Sequence, residues 1–264
     1  MTLFLDNAPG ALSEHLVASE IPSTPVFLTM HKAASSYVGS ILQDVFARNQ
    51  YQTEDLASEA FVAGMDEIAY VKQNLNRLQR PKTYFGPFRT KSVTPLLELK
   101  TLRPIVHVRD PRDCIVSLYY SLVYSHVEPG PGPVRDQFLK DRQQFRDMGV
   151  DAFCFEALRR GYSALGIMRK AVQELPGATL SRYEDMVADF GTWLRKLLSD
   201  IKLDVDPELF SSLQSDAVFE VSEDPLQHKR QVTPGDHRRK LRLETQQAMT
   251  EAFADDLLFF GYSL

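Results

Sequence analysis

Cysteine is scarce, with two in 264 residues, Cys114 and Cys154. Neither stands in a redox or metal-ligand spacing, which excludes a disulfide scaffold and suits a reducing compartment. Long apolar runs are missing as well: none approaches the roughly 20 residues that a membrane-spanning helix needs. Met1 to Gly10 contains Asp6 and no basic residue, so it lacks the charged start of a secretory signal. Internal repeats, low-complexity tracts and His or carboxylate clusters at metal-ligand spacing are absent too. So is a strong charge of one sign. Lys+Arg number 30 and Asp+Glu 35, a net charge of −5, which argues against broad nucleic-acid binding yet leaves room for a local basic pocket. What is present, 44% hydrophobic and 25% charged residues, is the balance of a globular protein. The expectation is a cytoplasmic protein with one domain over 1–264, its core within 25–258 and an extension over 1–24.

Strand-like and helix-like signals alternate along the chain. Pro25 to Met30 is a short apolar run suited to a buried strand, and Val38, Ile41, Leu42, Val45 and Phe46 then mark one helical face. Leu56 to Leu78 reads as further helix, Lys82 to Phe85 as a short strand, and Ile105 to Val108 as a β-branched strand. Pro111 suits the first turn of the next helix, which fades near Tyr124. Pro129, Gly130, Pro131, Gly132 and Pro133 make Val127 to Val134 a loop. Helical patterning resumes from Asp151 to Leu175, followed by a strand over Ala178 to Ser181 and a helix through Trp193 to Ile201. A basic irregular stretch, His228 to Arg242, precedes a last helix ending near Leu258. Strands separated by such helices imply an α/β domain with a parallel central sheet flanked by crossover helices.

Two segments carry anion chemistry. Between the first strand and its helix stand His31, Lys32, Ala33, Ala34, Ser35 and Ser36. Small residues let the backbone approach a ligand, and a helix N-terminus offers unpaired N–H groups beside a positive dipole end. The spaced glycines of a Walker A loop are missing, and the lysine precedes the small residues rather than following them. The plainer reading is a helix capped by Ser35 with Lys32 solvated. The second segment is Val108-Arg109-Asp110-Pro111-Arg112-Asp113, with Ser117 further along. Arg109 ends a strand, the ligand-binding edge of an open α/β sheet, where a guanidinium can grip a phosphate bidentately. Its plainer reading is an Arg–Asp network capping the helix, with Asp110 and Asp113 sharing that work.

Together and in this order, these segments resemble the sulfotransferases that use 3′-phosphoadenylyl sulfate. Val26 to Tyr37 is similar to their 5′-phosphosulfate-binding strand–loop–helix. Val106 to Ser121 is similar to their 3′-phosphate segment, in which an arginine and a serine eight positions later face one phosphate, as Arg109 and Ser117 are spaced. Arg182-Tyr183-Glu184-Asp185-Met186 looks like the family's Tyr-Glu-Asp segment, whose tyrosine lies by the adenine, and Arg230 to His237 looks like its late basic loop over the nucleotide. The resemblance spans residues 25 to about 242. Two departures stand in the late loop: Val232 where a glycine is usual, and His237 where an aromatic usually follows Gly-Asp. The resemblance implies a P-loop NTPase-like sulfotransferase fold. It implies Lys32, Ala33, Ala34, Ser35, Ser36, Arg109, Ser117, Tyr183, Lys229 and Arg230 as cofactor residues, Lys32 as the catalytic cation, and 3′,5′-adenosine bisphosphate as product. No metal is implied. The partners expected are the nucleotide and an acceptor bearing a hydroxyl or, as an alternative, an amine, whether a small molecule or a glycan.

Near the second strand, where relatives commonly place a His or Glu as general base, this chain has Lys82 to Arg89 with neither, and Tyr84 is a weak base at a reference pKa of about 10. His31 belongs to the cradle loop and His107 lies within a strand, so His126, at the mouth of the Pro/Gly loop, is the candidate base. Trp193 with Leu194, Leu197 and Leu198 reads as helix core. Tyr119, Tyr120 and Tyr124 read either as helix packing or as an acceptor lining, and Arg238, Arg239, Lys240 and Arg242 as a solvated helix start or an electrostatic funnel. The rival functions are a kinase using ATP and Mg²⁺, opposed by the missing Gly-Lys-Ser/Thr signature, and a non-catalytic nucleotide-binding protein on the same scaffold.

Overall fold

Five strands pair in parallel in the order β2-β3-β1-β4-β5. They are β1 Thr24–Thr29, β2 Gln52–Glu54, β3 Thr83–Arg89, β4 Leu102–Val108 and β5 Thr179–Arg182. The structure is a computed structural model that describes residues 23–217, 219 and 232–264. All of β1 is buried, as expected of a parallel strand covered on both faces. Val26 and Leu28 pack with Phe85, Val106 and Ile115 on one side, and Phe27 packs with Val38, Phe46 and Trp193 on the other.

Helix α1 (Ser35–Arg48) follows β1, and α2 (Leu56–Val62) and α3 (Glu67–Gln73) follow β2. After β4 come α4 (Pro111–Tyr120), a π turn at Ser121–Ser125, α5 (Pro133–Arg159) and α6 (Ala164–Glu174). After β5 come α7 (Tyr183–Ala188), α8 (Phe190–Ile201), α9 (Pro207–Ser215), α10 (Asp236–Lys240) and α11 (Leu243–Phe259). Side chains of α1 and α8 cover one face of the sheet, while those of α4, α6 and α11 cover the other.

Several expected boundaries move. Leu56 to Leu78 is not one helix: Gly64 turns the chain at φ 64, and Asp66 starts α3 by accepting from the Ala69 amide. The helix expected from Asp151 begins at Pro133, and Gly149 at φ 77 and ψ 167 breaks it into two segments. The stretch to Leu175 is interrupted again at Gly161, φ 70, before α6. Within the basic stretch, Asp236–Lys240 is helical, while residues 228–231 lie outside the described residues. The second expected strand runs on to Arg89 through a bulge, since Val26 pairs with Phe85 but Leu28 with Phe88. Gly86 at φ 145 is needed there, because a Cβ would stand 2.8 Å from Phe27 Cβ.

This strand order decides where a ligand goes. From β1 the chain moves to β2 and β3 on one side; from β4 it moves to β5 on the other. The order reverses between β1 and β4, and the crevice beyond their carboxyl ends is the topological switch point where open α/β sheets bind ligands. Lys32 and Arg109 come just after these two strands.

Candidate functional site

The β1–α1 loop has the geometry of an anion cradle. Lys32 and Ala34 both take left-handed backbone, φ 68 and φ 57, so the residues before α1 curl into a concave turn. Ala34 is the N-cap of α1 and gives no side-chain cap, whereas α2, α3, α4, α8 and α9 are each capped by an aspartate. The first amides of α1 therefore keep the positive end of the helix without a carboxylate to neutralise it. Ser35 does not cap the helix, contrary to the plainer expectation. Its Oγ accepts from Arg89 Nε at 2.9 Å, while Arg89 Nη2 lies 3.5 Å from Ser36 Oγ. Arg89 thus brings a second cation from the end of β3. No motif marks it in the sequence; only its place after a buried strand could have drawn attention.

Arg109 is 4% exposed. Its Nη1 donates to the Lys32 carbonyl at 2.9 Å, which joins the ends of β1 and β4 directly. The guanidinium carbon lies 4.1 Å from the Tyr183 ring centroid, and Tyr183 OH donates to the Val232 carbonyl at 2.6 Å. Burial works against the charged guanidinium, and Tyr183, Asp113 and Glu184 help to more than offset it. Arg109 Nε is buried without a hydrogen-bond partner. A buried guanidinium N–H left open at a switch point fits an external acceptor such as a phosphate oxygen. Ser117 lies two turns into α4, half-buried.

The two aspartates after Arg109 divide their work. Asp110 caps α4 through the Arg112 amide and pairs with the Arg112 guanidinium at 2.7 Å, which in turn donates to Thr250 and to the Ser263 carbonyl. Asp113 instead binds the turn before α10, through the Gly235 and His237 amides. Glu184 accepts from the Asp110 amide at 3.0 Å and from Tyr262 OH at 2.8 Å, and its burial raises its pKa.

The family model for the sulfotransferase domain matches residues 24–254. The chain belongs to the sulfotransferase family. Solved structures agree in fold. A mouse sulfotransferase complexed with PAP is 14% identical with a TM-score of 0.52, covering 89% of this chain and 84% of that one. Retinol dehydratase in a complex with retinol and PAP is 14% identical with a TM-score of 0.51, covering 90% and 82%. The same enzyme with androsterone and inactive cofactor PAP is 15% identical with a TM-score of 0.52 over the same shares. No curated protein sequence matches the chain significantly.

Of the sulfotransferase residues expected from sequence, Lys32 to Ser36, Arg109 and Tyr183 gather at the carboxyl ends of β1, β4 and β5. Lys229 and Arg230 fall outside the described residues. Tyr84 is fully buried and stacks on Phe46 at 4.4 Å within the α1 side of the core, where desolvation raises its pKa well above 10. It is no base. His107 is fully buried, pairs through Nδ1 with Ser181 Oγ at 2.8 Å, and is held neutral by burial at a pKa of about 3. Trp193 Nε1 donates to the same Ser181 oxygen, so Trp193 is helix core with a polar handle. His31 is exposed at the loop, and desolvation of its ring, then Arg89 and Lys32, lowers its pKa. His126 is exposed at the end of the π turn, 5.7 Å from Phe138.

Among the described residues no group of three or more His, Cys, Asp or Glu is placed to hold a metal, and no helix is long and apolar enough to cross a membrane. A cavity of about 560 Å³ lies elsewhere, between the C-terminal end of α8 and α9, lined by Leu198, Leu203, Val205 and Phe210. Arg195 is the cation in its lining, and Lys32, Arg89 and Arg109 are not part of it.

Proposed function

We propose that the chain transfers a sulfuryl group from 3′-phosphoadenylyl sulfate to a hydroxyl acceptor and releases 3′,5′-adenosine bisphosphate. The observation that carries this reading is Arg109, almost wholly buried with an open Nε, beside a helix N-terminus that no carboxylate caps. A doubly phosphorylated nucleotide supplies two anions for these two places, and brings the sulfuryl group with its leaving phosphate. The amides of Ala33 to Ser36 hold one phosphate at the α1 N-terminus. Arg109 and Ser117 hold the other, with Tyr183 beside the base. Lys32 places positive charge where the departing oxygen becomes more negative, the kind of preorganised donor that supplies the largest share of such catalysis. His126 takes the acceptor's proton from the side of the Pro/Gly loop. Lys229 and Arg230 join the nucleotide site by resemblance to the late basic loop.

The acceptor is a small molecule or a glycan. Two neighbours' complexes hold retinol and androsterone, which supports an apolar alcohol; Tyr120 and Tyr124 are aromatic side chains this chain can offer one, whereas Tyr119 is buried in the core against Phe153.

The test is nucleotide affinity in metal-free buffer. The native chain should be stabilised by 3′,5′-adenosine bisphosphate without metal, and ATP with Mg²⁺ should add nothing comparable. Arg109→Ala should weaken the bisphosphate by about 10- to 100-fold, the worth of a charge-assisted hydrogen bond or two. Adenosine 5′-phosphate, which lacks the 3′-phosphate, should barely change. Equal losses for both ligands would make Arg109 structural, and a Mg²⁺-dependent preference for ATP would favour the kinase.

A further inference from the structure

Asp113 poses a problem for an anion site built on Arg109. It stands four residues along the same helix-entering segment, is 0% exposed, and contributes to the field that keeps Arg109 charged. Burial pushes its pKa up, but the His237 hydrogen bond and the Arg109 charge pull it down to about 2, so it is ionised. A buried carboxylate four residues from a buried guanidinium, and within its field, can close on it as a salt bridge and fill the place of a phosphate. The contacts run otherwise. Asp113 Oδ2 accepts from the Gly235 amide at 2.7 Å. Its Oδ1 accepts from the His237 amide at 2.9 Å and pairs with His237 Nδ1 at 2.6 Å. Arg109 meanwhile donates to the Lys32 carbonyl, lies over Tyr183 and keeps Nε unpartnered.

We propose that His237 is a positioning residue of the nucleotide site. By saturating Asp113 with a side-chain and a backbone N–H, it keeps that carboxylate off Arg109 and leaves the guanidinium open to the nucleotide's 3′-phosphate. The proposal rests on reading Arg109 as a phosphate ligand. An internal carboxylate competes for a guanidinium at high effective concentration, so occupying it with other donors is the way to weaken it as a competitor. A phenylalanine ring at this position would offer no N–H to Oδ1.

A merely structural clasp would also pin α10 to α4, since Gly235 and His237 lie 122 and 124 residues from Asp113. A double variant separates the two roles. On the full chain, calorimetry with 3′,5′-adenosine bisphosphate and with adenosine 5′-phosphate should show about tenfold weaker bisphosphate binding for His237→Ala, with the monophosphate little changed. His237→Phe repeats the comparison at similar volume, in case truncation opens a cavity. His237→Asn, whose side-chain N–H can replace that of the imidazole, should keep near-native affinity. Asp113→Asn combined with His237→Ala should recover most of the loss, because a neutral carboxamide no longer competes for Arg109. A double variant as weak as His237→Ala, or equal losses for both nucleotides, would overturn the proposal while leaving Arg109 as a phosphate ligand. A native chain that binds neither nucleotide would defeat that underlying reading, and this inference with it.

Discussion

At the scale of single residues the site is recognisable by what is left open or strained. Lys32 sits in left-handed backbone at φ 68, a conformation that costs an L-residue roughly 1–2 kcal/mol and persists only where the surroundings enforce it. Lys32→Ala should lower kcat by about 10²–10³ with a smaller change in nucleotide affinity, the usual effect of removing one preorganised donor. Unchanged turnover in the purified variant would remove Lys32 from the mechanism. Glu184 makes a separate prediction about pH. Burial raises its folded pKa above the usual carboxylate value, so its ionised form costs the folded state stability as pH rises through that value. The stability of Glu184→Gln relative to the native chain should therefore increase from pH 4 to pH 8. Thermal melts that show a constant difference across this range would mean that ionising the carboxylate carries no such penalty.

At the scale of elements, the contrast between α1 and its fellow helices bears on the proposed function. Five helices are capped by an aspartate, and α1 alone among these six begins at an alanine in left-handed backbone. Stability would favour a carboxylate at α1 as well, and an anion site forbids it. Ala34→Asp should leave the melting temperature unchanged or higher, through the helix dipole, while nucleotide affinity falls. Asp66→Ala is the counterpart: it should cost about 1 kcal/mol of stability and leave nucleotide affinity alone. A loss of stability without loss of affinity in Ala34→Asp would show that the α1 terminus does not hold the anion. Elements also differ in how they announce themselves. β1 and β4 are readable because buried parallel strands are largely apolar on both faces, whereas β5, Thr-Leu-Ser-Arg at the sheet edge, is marked by the Pro176-Gly177 turn before it. β2 is Gln-Thr-Glu, with two of its three residues exposed, and has no pattern to read. The first four turns of α5 bury no residue completely, so no apolar stripe reveals them, and only the segment beyond Gly149 is legible in the sequence. Arg89 and the Asp113–His237 pair escape for another reason: each acts across a long sequence separation, which spacing along the chain does not encode.

At the scale of the whole molecule, the sheet order puts the proposed nucleotide residues at the reversal between β1 and β4, and in that proposal the acceptor side falls to the segment between α4 and α5. The π turn and the Pro/Gly segment occupy that place, and α5 holds them at their base. Arg142 Nε donates to the Leu122 carbonyl at 2.9 Å, and Arg142 and Arg135 pair with Glu128 at 3.1 and 3.0 Å. Beyond Glu128 the tip consists of alternating proline and glycine, stiff and permissive by turns, until Pro133 opens α5 as its first residue. Such a tip can close over an acceptor and keep water from the transfer without taking part in nucleotide binding. Removing Pro129 to Gly132, which spares both Glu128 and the Pro133 start of α5, should leave bisphosphate affinity near native and raise the acceptor KM or lower kcat. His126 lies just before this tip. His126→Ala should lower kcat by about 10²–10⁴, partly recovered at high pH where hydroxide can take the acceptor's proton instead, while His31→Ala, run in parallel, reports on the neutral imidazole at the cradle. Near-normal kcat for His126→Ala across pH, with a collapse for His31→Ala, would move the base from the Pro/Gly loop to the β1–α1 loop. Weakened nucleotide binding from the tip deletion alone would place the tip in the cofactor site instead.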